Sequence, residues 1–203
     1  LVLLLHVISQ LSLPKFEIIH RDPRHANLTS LKFDHIISNP PLFGLLQNKP
    51  EGLGDYGSDE IRYYIKHLTN YPRGTKISVV VPQNFLFNSS PYGKKIRKYV
   101  LDTCTLLGII QLPKGYSSSN SVQSSLLLLE VGTRDLINYN IFMAVLSKPT
   151  KTISEINKKL SLQITKSYHD FLKGKPIKNP TQNGFVVKID EIIENGWTVS
   201  DKI

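Results

Sequence analysis

The sequence predicts an α/β fold with a mostly parallel sheet, an antiparallel edge and a C-terminal helix. Three observations predict it. Strand-like and helix-like stretches alternate from Phe33 to Pro113. The run KISVVVPQNFLF (76–87) is continuously apolar over its first half rather than alternating, which marks a central strand buried on both faces. Two closely spaced apolar runs, SSLLLLEVG and NIFMAVLS, then follow with no helical pattern between them, as reversed strands do.

Taken in order, apolar residues at positions 1, 2, 4, 5, 8 and 11 suit a helix that stops before Pro14. FEIIH (16–20) reads as a short strand and HRDPRHANLTS as a polar loop. FDHIIS (33–38) is a second strand, and it runs into Asn39-Pro40-Pro41. Residues 45–57 carry Gly, Pro and Asn and read as a loop. SDEIRYYIKHLTN (58–70) is a helix, with Ser58 as its N-cap and acidic residues in its first turn. KISVVVPQNFLF is the central strand, and SSPYGKKIRKYVLDTC (89–104) is a helix with a basic outer side. LLGIIQLP is a strand, KGYSSSNSVQ (114–123) a polar loop, and SSLLLLEVG and NIFMAVLS are further strands. A lysine-rich amphipathic helix is expected from Lys151 to about Leu172, and GFVVKIDEIIENGW closes the pattern with a strand and a short helix. The expected division is an α/β core over 1–147 and a helical extension over 148–203.

At 203 residues the chain is long enough for a substantial core. Its one cysteine, Cys104, excludes an internal disulfide and suits the reducing cytoplasm; lying in LDTCTLLGII, it is expected to be a buried thiol. The formal charge of +9 favours an anionic partner such as nucleic acid, although scattered lysines also serve solubility. The opening LVLLLHVISQLSLP is shorter than the roughly 20 apolar residues of a membrane span, and no basic leader precedes it, so no membrane association is expected. Met143 is the only methionine, which suggests that the chain begins inside a longer protein.

Asn39-Pro40-Pro41 demands a chemical reason. Two prolines remove two backbone donors at the end of an apolar strand, and their locked φ makes the turn rigid. Such a turn can activate an exocyclic amine, whose lone pair is otherwise delocalised into the base. The Asn39 side-chain oxygen accepts one amine hydrogen and the Pro40 carbonyl accepts the other. The nitrogen is then held pyramidal with its lone pair aimed at an electrophile, and little reorganisation remains at reaction. The plain alternative is that the turn only ends a strand.

FDHIISNPPLFG resembles the (Asn/Asp)-Pro-Pro-aromatic motif of amino-group methyltransferases that use S-adenosylmethionine. The stretch KISVVVPQNFLFNSSPYGKKIRKYVLDTCTLLGIIQLPKGYSSSNSVQSSLLLLEVG is similar to the catalytic core of N6-adenine DNA methylases. The nearest likeness is to the modification subunit of type I restriction–modification systems. FVVKIDEIIENGWTVS resembles the segment that follows the core there. The resemblance implies a Rossmann-like, S-adenosylmethionine-dependent core, here partial, that methylates a flipped adenine. It implies double-stranded DNA as substrate, with a specificity subunit and, in complete systems, a nuclease subunit as partners. Asn39, Pro40 and Pro41 would hold the amine. Tyr116 would pack on the flipped base, as would Leu42 or Phe43 at the position after the prolines. Asp22 would contact the cofactor's adenine, and no metal is implied. Base extrusion is required because N6 is inaccessible in a stacked duplex.

Two departures from the pattern carry expectations of their own. Leu42 stands where that family has an aromatic, and no Phe-x-Gly-x-Gly loop is present to wrap the cofactor's methionine. The chain alone is therefore expected to bind S-adenosylmethionine weakly or not at all. The alternative is a catalytically inactive remnant that serves as a DNA- or protein-binding module.

Overall fold

The computed structural model describes residues 33–40, 60–113, 123–133, 139–146, 153–177, 184–194 and 197. In chain order the elements are β1 (His35–Ser38), α1 (Glu60–Leu68), β2 (Lys76–Pro82), α2 (Gln83–Phe87), α3 (Pro91–Thr103), β3 (Cys104–Gln111), β4 (Ser124–Val131), β5 (Asn140–Val145), α4 (Ile153–Leu172), β6 (Phe185–Lys188) and α5 (Ile189–Glu194). The six strands form one sheet in the order β1-β2-β4-β3-β5-β6. β1 is parallel to β2 and β3 to β5, whereas β4 is antiparallel to both β2 and β3, and β6 to β5. Four strands thus share one direction and two oppose it.

The antiparallel edge expected from the sequence is β6. A second reversal, β4, lies inside the sheet between β2 and β3. Its physical origin is the return of the chain after β3: β4 pairs back along β3, Cys104 against Val131 through Gln111 against Ser125. The strand expected over 76–87 is also shorter than anticipated. It ends at Pro82 (φ −65, ψ 145), and Gln83–Phe87 wind into one helical turn. A turn of five residues is too short to show helical periodicity, so the sequence pattern does not separate it from the strand before it.

Helix α1 buries Ile61, Ile65 and Leu68, spaced for one face, with Lys66 and His67 in its last turn favoured by the helix dipole. Helix α3 opens with Ser90 as N-cap, its Oγ accepting from Gly93 N–H at 3.1 Å, and Pro91 in the first turn. It buries Ile96 and Val100 and leaves Lys94, Lys95 and Lys98 exposed, the basic outer side that the sequence suggested. Ile77, Val79 and Val81 of β2, Leu127 and Leu129 of β4 and Leu106 and Ile109 of β3 are fully or almost fully buried. Burying each such side chain contributes about 1.5–3 kcal/mol.

Phe142 and Ala144 of β5 pack with Ile164, Tyr168 and Phe171 of α4, the Phe142 and Tyr168 rings 5.3 Å apart. Ile141 and Met143 alternate with them and are equally buried, so β5 is covered on both faces. Gly108 lets β3 approach this strand: a Cβ there would lie 2.7 Å from the Phe142 carbonyl oxygen. Among the described residues, no helix is long and apolar enough to cross a membrane. The helix and strand expected over residues 1–20, the Ser58 cap and the expected boundary after residue 147 lie outside the described residues.

Candidate functional site

The carboxyl ends of β1, β2, β3 and β5 all fall at one edge of the sheet, together with the start of β4. Most of that edge is closed by backbone hydrogen bonds. Gln83 N–H donates to Gln123 O at 2.9 Å, Leu112 N–H to Ser124 O at 2.9 Å, and Leu146 N–H to Gln111 O at 2.8 Å. The Gln123 side-chain amide also donates to Leu112 O. The two flanks of the 114–122 stretch are therefore clamped to each other and to the end of β2.

β1 behaves differently. Its last residue, Ser38, pairs with Val79, while β2 continues to Pro82. At about 3.3 Å per residue, β1 ends roughly 10 Å short of its neighbour. The chain leaves β1 at Asn39, three residues before β2 ends. Asn39 is exposed and Pro40 is buried. The Asn39 side chain makes no hydrogen bond to another described residue.

Four residues make a weak strand, and this one is pinned at both ends. At its start, Thr75 Oγ1 donates to Phe33 O at 3.1 Å and Lys76 N–H to Asp34 O at 3.0 Å. Phe33 and Tyr71 rings pack 6.0 Å apart there. Burial, reinforced by Tyr64, pushes the Tyr71 phenol above its ordinary range. At its end, Ser38 Oγ donates to the Tyr64 hydroxyl of α1 at 2.9 Å. Tyr64 is the residue that sequence reasoning missed. Its place on the sheet-facing side of α1 was legible from its spacing, three after Ile61 and four before Leu68, but its partner across 26 residues was not.

The acceptor set here, one carboxamide oxygen and one proline carbonyl, fits a group with two hydrogens to donate, such as an exocyclic amine. Of the residues expected to act with it, Pro41, Leu42, Phe43, Tyr116 and Asp22 lie outside the described residues. Among the described residues, Asn39 and Pro40 are the two expected site residues at this edge.

Comparison with known proteins gives this edge a context. A family model described as N-6 DNA Methylase matches residues 2–202. Among solved structures, a chain from work on complex assembly and conformational transition of the type I R-M system has a TM-score of 0.71 at 18% identity, over 92% of this chain and 41% of that one. The type I restriction-modification system methyltransferase subunit from Streptococcus thermophilus gives 0.61 at 14% identity, over 87% and 39%. The type I restriction enzyme EcoKI M protein gives 0.51 at 24% identity, over 60% and 27%. At these identities the likeness shows the fold. The chain spans about two-fifths or less of the length of these structures. No functionally curated protein matches it. With a family model that runs over nearly every residue, and a sheet whose first described strand ends in Asn39-Pro40, the chain belongs to the N-6 DNA methylase family.

Proposed function

We propose that this chain forms the amine-accepting part of a DNA adenine-N6 methyltransferase of a restriction–modification system. The observation that carries the reading is the exposed Asn39 followed by the buried Pro40 at the end of β1. A flipped adenine approaches this end of the sheet with its exocyclic amine toward the turn. Asn39 Oδ1 accepts one amine hydrogen and the Pro40 carbonyl accepts the other. Pro40 and Pro41 keep both acceptors at fixed angles, so the nitrogen stays pyramidal and its lone pair points away from the turn. S-adenosylmethionine supplies the electrophilic methyl group. The pinning of β1 by Tyr64 matters because a displacement of about 1 Å in the acceptors costs on the order of 10²-fold in rate.

Asp22 is the residue proposed on the cofactor side. Tyr116 is proposed to stack on the extruded base, with Leu42 or Phe43 below it. Leu112 and Gln123, which flank the 114–122 stretch in sequence, are bonded to each other at this edge, which supports a role for Tyr116 beside it. Double-stranded DNA is the proposed substrate, and a specificity subunit and a nuclease subunit of a type I system are the proposed partners, in the cytoplasm.

The test is methyl transfer to adenine-containing duplexes by the full-length protein, wild type and Asn39→Ala, each with S-adenosylmethionine and partner subunits supplied. Loss of a preorganised acceptor should lower the rate by about 10²–10³-fold with unchanged circular dichroism. Near-normal transfer by Asn39→Ala would reduce the turn to a structural one.

A further inference from the structure

A second concavity lies apart from the Asn39 edge and shares no residue with it. It is a groove of about 660 Å³ between the α2–α3 corner and α5. Trp197, only 2% exposed, lies in it, and Leu101 lines the α3 side. Phe87 from the corner and Ile193 from α5 are 49% and 54% exposed, so two large apolar side chains from separate segments lie open to one space. The wall formed by α3 is cationic. It carries Lys94 and Lys98 in the groove with Lys95 beside them, against one carboxylate, Asp102. The Lys98–Asp102 ion pair, at 2.8 Å, joins side chains that are 75% and 57% exposed, so an incoming carboxylate can exchange with it at little cost. The α5 wall carries Glu194 instead.

The corner is rigidly built. Arg97, buried in α3, donates to Phe85 O at 3.0 Å and to Asn88 O at 2.9 Å, bracketing Phe87. Asn88 Oδ1 accepts from Ser90 N–H at 2.9 Å, and Gly93 packs so closely that a Cβ would lie 2.6 Å from Asn88 O. A preformed wall of this kind binds without an ordering cost.

We propose that this groove docks a segment of a partner polypeptide that carries large apolar anchors and a flank of Asp or Glu. The apolar anchors meet Phe87, Leu101 and Ile193. The acidic flank lies along α3, because the opposite wall is itself acidic at Glu194. A nucleic-acid backbone would satisfy the lysines but leave Phe87 and Ile193 uncovered, and this favours the polypeptide.

Trp197 is the only tryptophan and reports directly on occupancy. Random peptides of about 15 residues, long enough for three helical anchors, are selected on the 203-residue chain. Selected sequences should be net negative with at least two large apolar residues, and synthetic versions should shift Trp197 emission saturably. Ile193→Asp should weaken them by about tenfold or more. Lys94→Glu should weaken them several-fold and should favour versions with Lys in place of Glu. Both changes are at exposed positions, and circular dichroism checks the fold. The proposal fails if selected peptides lack the acidic bias, or bind Ile193→Asp as well as wild type. It also fails if a short DNA duplex produces the same Trp197 shift and displaces them.

Discussion

Cys104 begins β3 almost completely buried, and burial pushes its thiol up to about 11, against smaller opposing effects of hydrogen bonds from Thr103 and Gly132. A raised value in the folded chain means that the folded state prefers the neutral thiol. The stability this confers is fully present below the ordinary value of 9.0 and is lost as pH rises through about 11. The loss should approach about 2–3 kcal/mol. Urea unfolding of wild type and Cys104→Ala at several values across that window checks it, since only wild type should show this part of the decline. At Leu42, substitution by Tyr should raise turnover or flipped-base affinity, because stacking contributes about 1–3 kcal/mol per base. Methylation kinetics with Leu42→Tyr would expose the opposite sign. The site residue that the sequence revealed most clearly was Asn39, because consecutive prolines after an apolar strand have few structural uses. Tyr64 stayed hidden because a phenol that meets Ser38 across 26 residues leaves no local pattern.

Among the elements, the α2–α3 corner concentrates the most stability in the fewest groups. Burial, with Arg62 nearby, lowers the Arg97 guanidinium from its usual range, yet the group is held by two backbone carbonyls. Arg97→Met should destabilise by about 1–3 kcal/mol, since both carbonyls lose a donor. Gly93→Ala should cost about 1–3 kcal/mol by overpacking against Asn88. Denaturant midpoints measure both, and equal midpoints for Arg97→Met and wild type would show that water replaces the guanidinium freely. A charged residue between Ile96 and Val100, on a face otherwise apolar, was a visible sign that something polar had to be satisfied there. The helices over 60–68, 91–103 and 153–172 were legible because apolar residues recur at helical spacing. The split of 76–87 into strand and helical turn was not, because a turn of five residues, Gln83–Phe87, is too short to show helical periodicity. The position of β4 was not legible either, because strand order is set by long-range pairing that leaves no short-range mark.

For the whole molecule, the charge of +9 predicts DNA affinity that is blind to sequence and sensitive to salt. Affinity should fall steeply between about 50 and 200 mM salt as counterions re-condense. Fluorescence anisotropy with two unrelated duplexes measures it, and flat affinity across that range would make the excess charge a solubilising one only. The 203-residue chain should also bind S-adenosylmethionine weakly or not at all, because its sequence has no Phe-x-Gly-x-Gly loop for close backbone approach to the cofactor's methionine. Micromolar binding by calorimetry would contradict this.

The place of β4 between β2 and β3 constrains the order in which the chain can assemble during synthesis. β2 and β3 are made first but never touch as neighbours; each waits for the strand that lies between them. Until Val131 has left the ribosome, β2 exposes an inner edge with its backbone groups unpaired. The nearest helper is local: β3 and β4 can zip as a hairpin, and the hairpin then docks as a unit onto β2. A nascent chain stalled within the 114–122 stretch should therefore remain protease-sensitive through both β2 and β3. One released just beyond Val131 should acquire protection in both together.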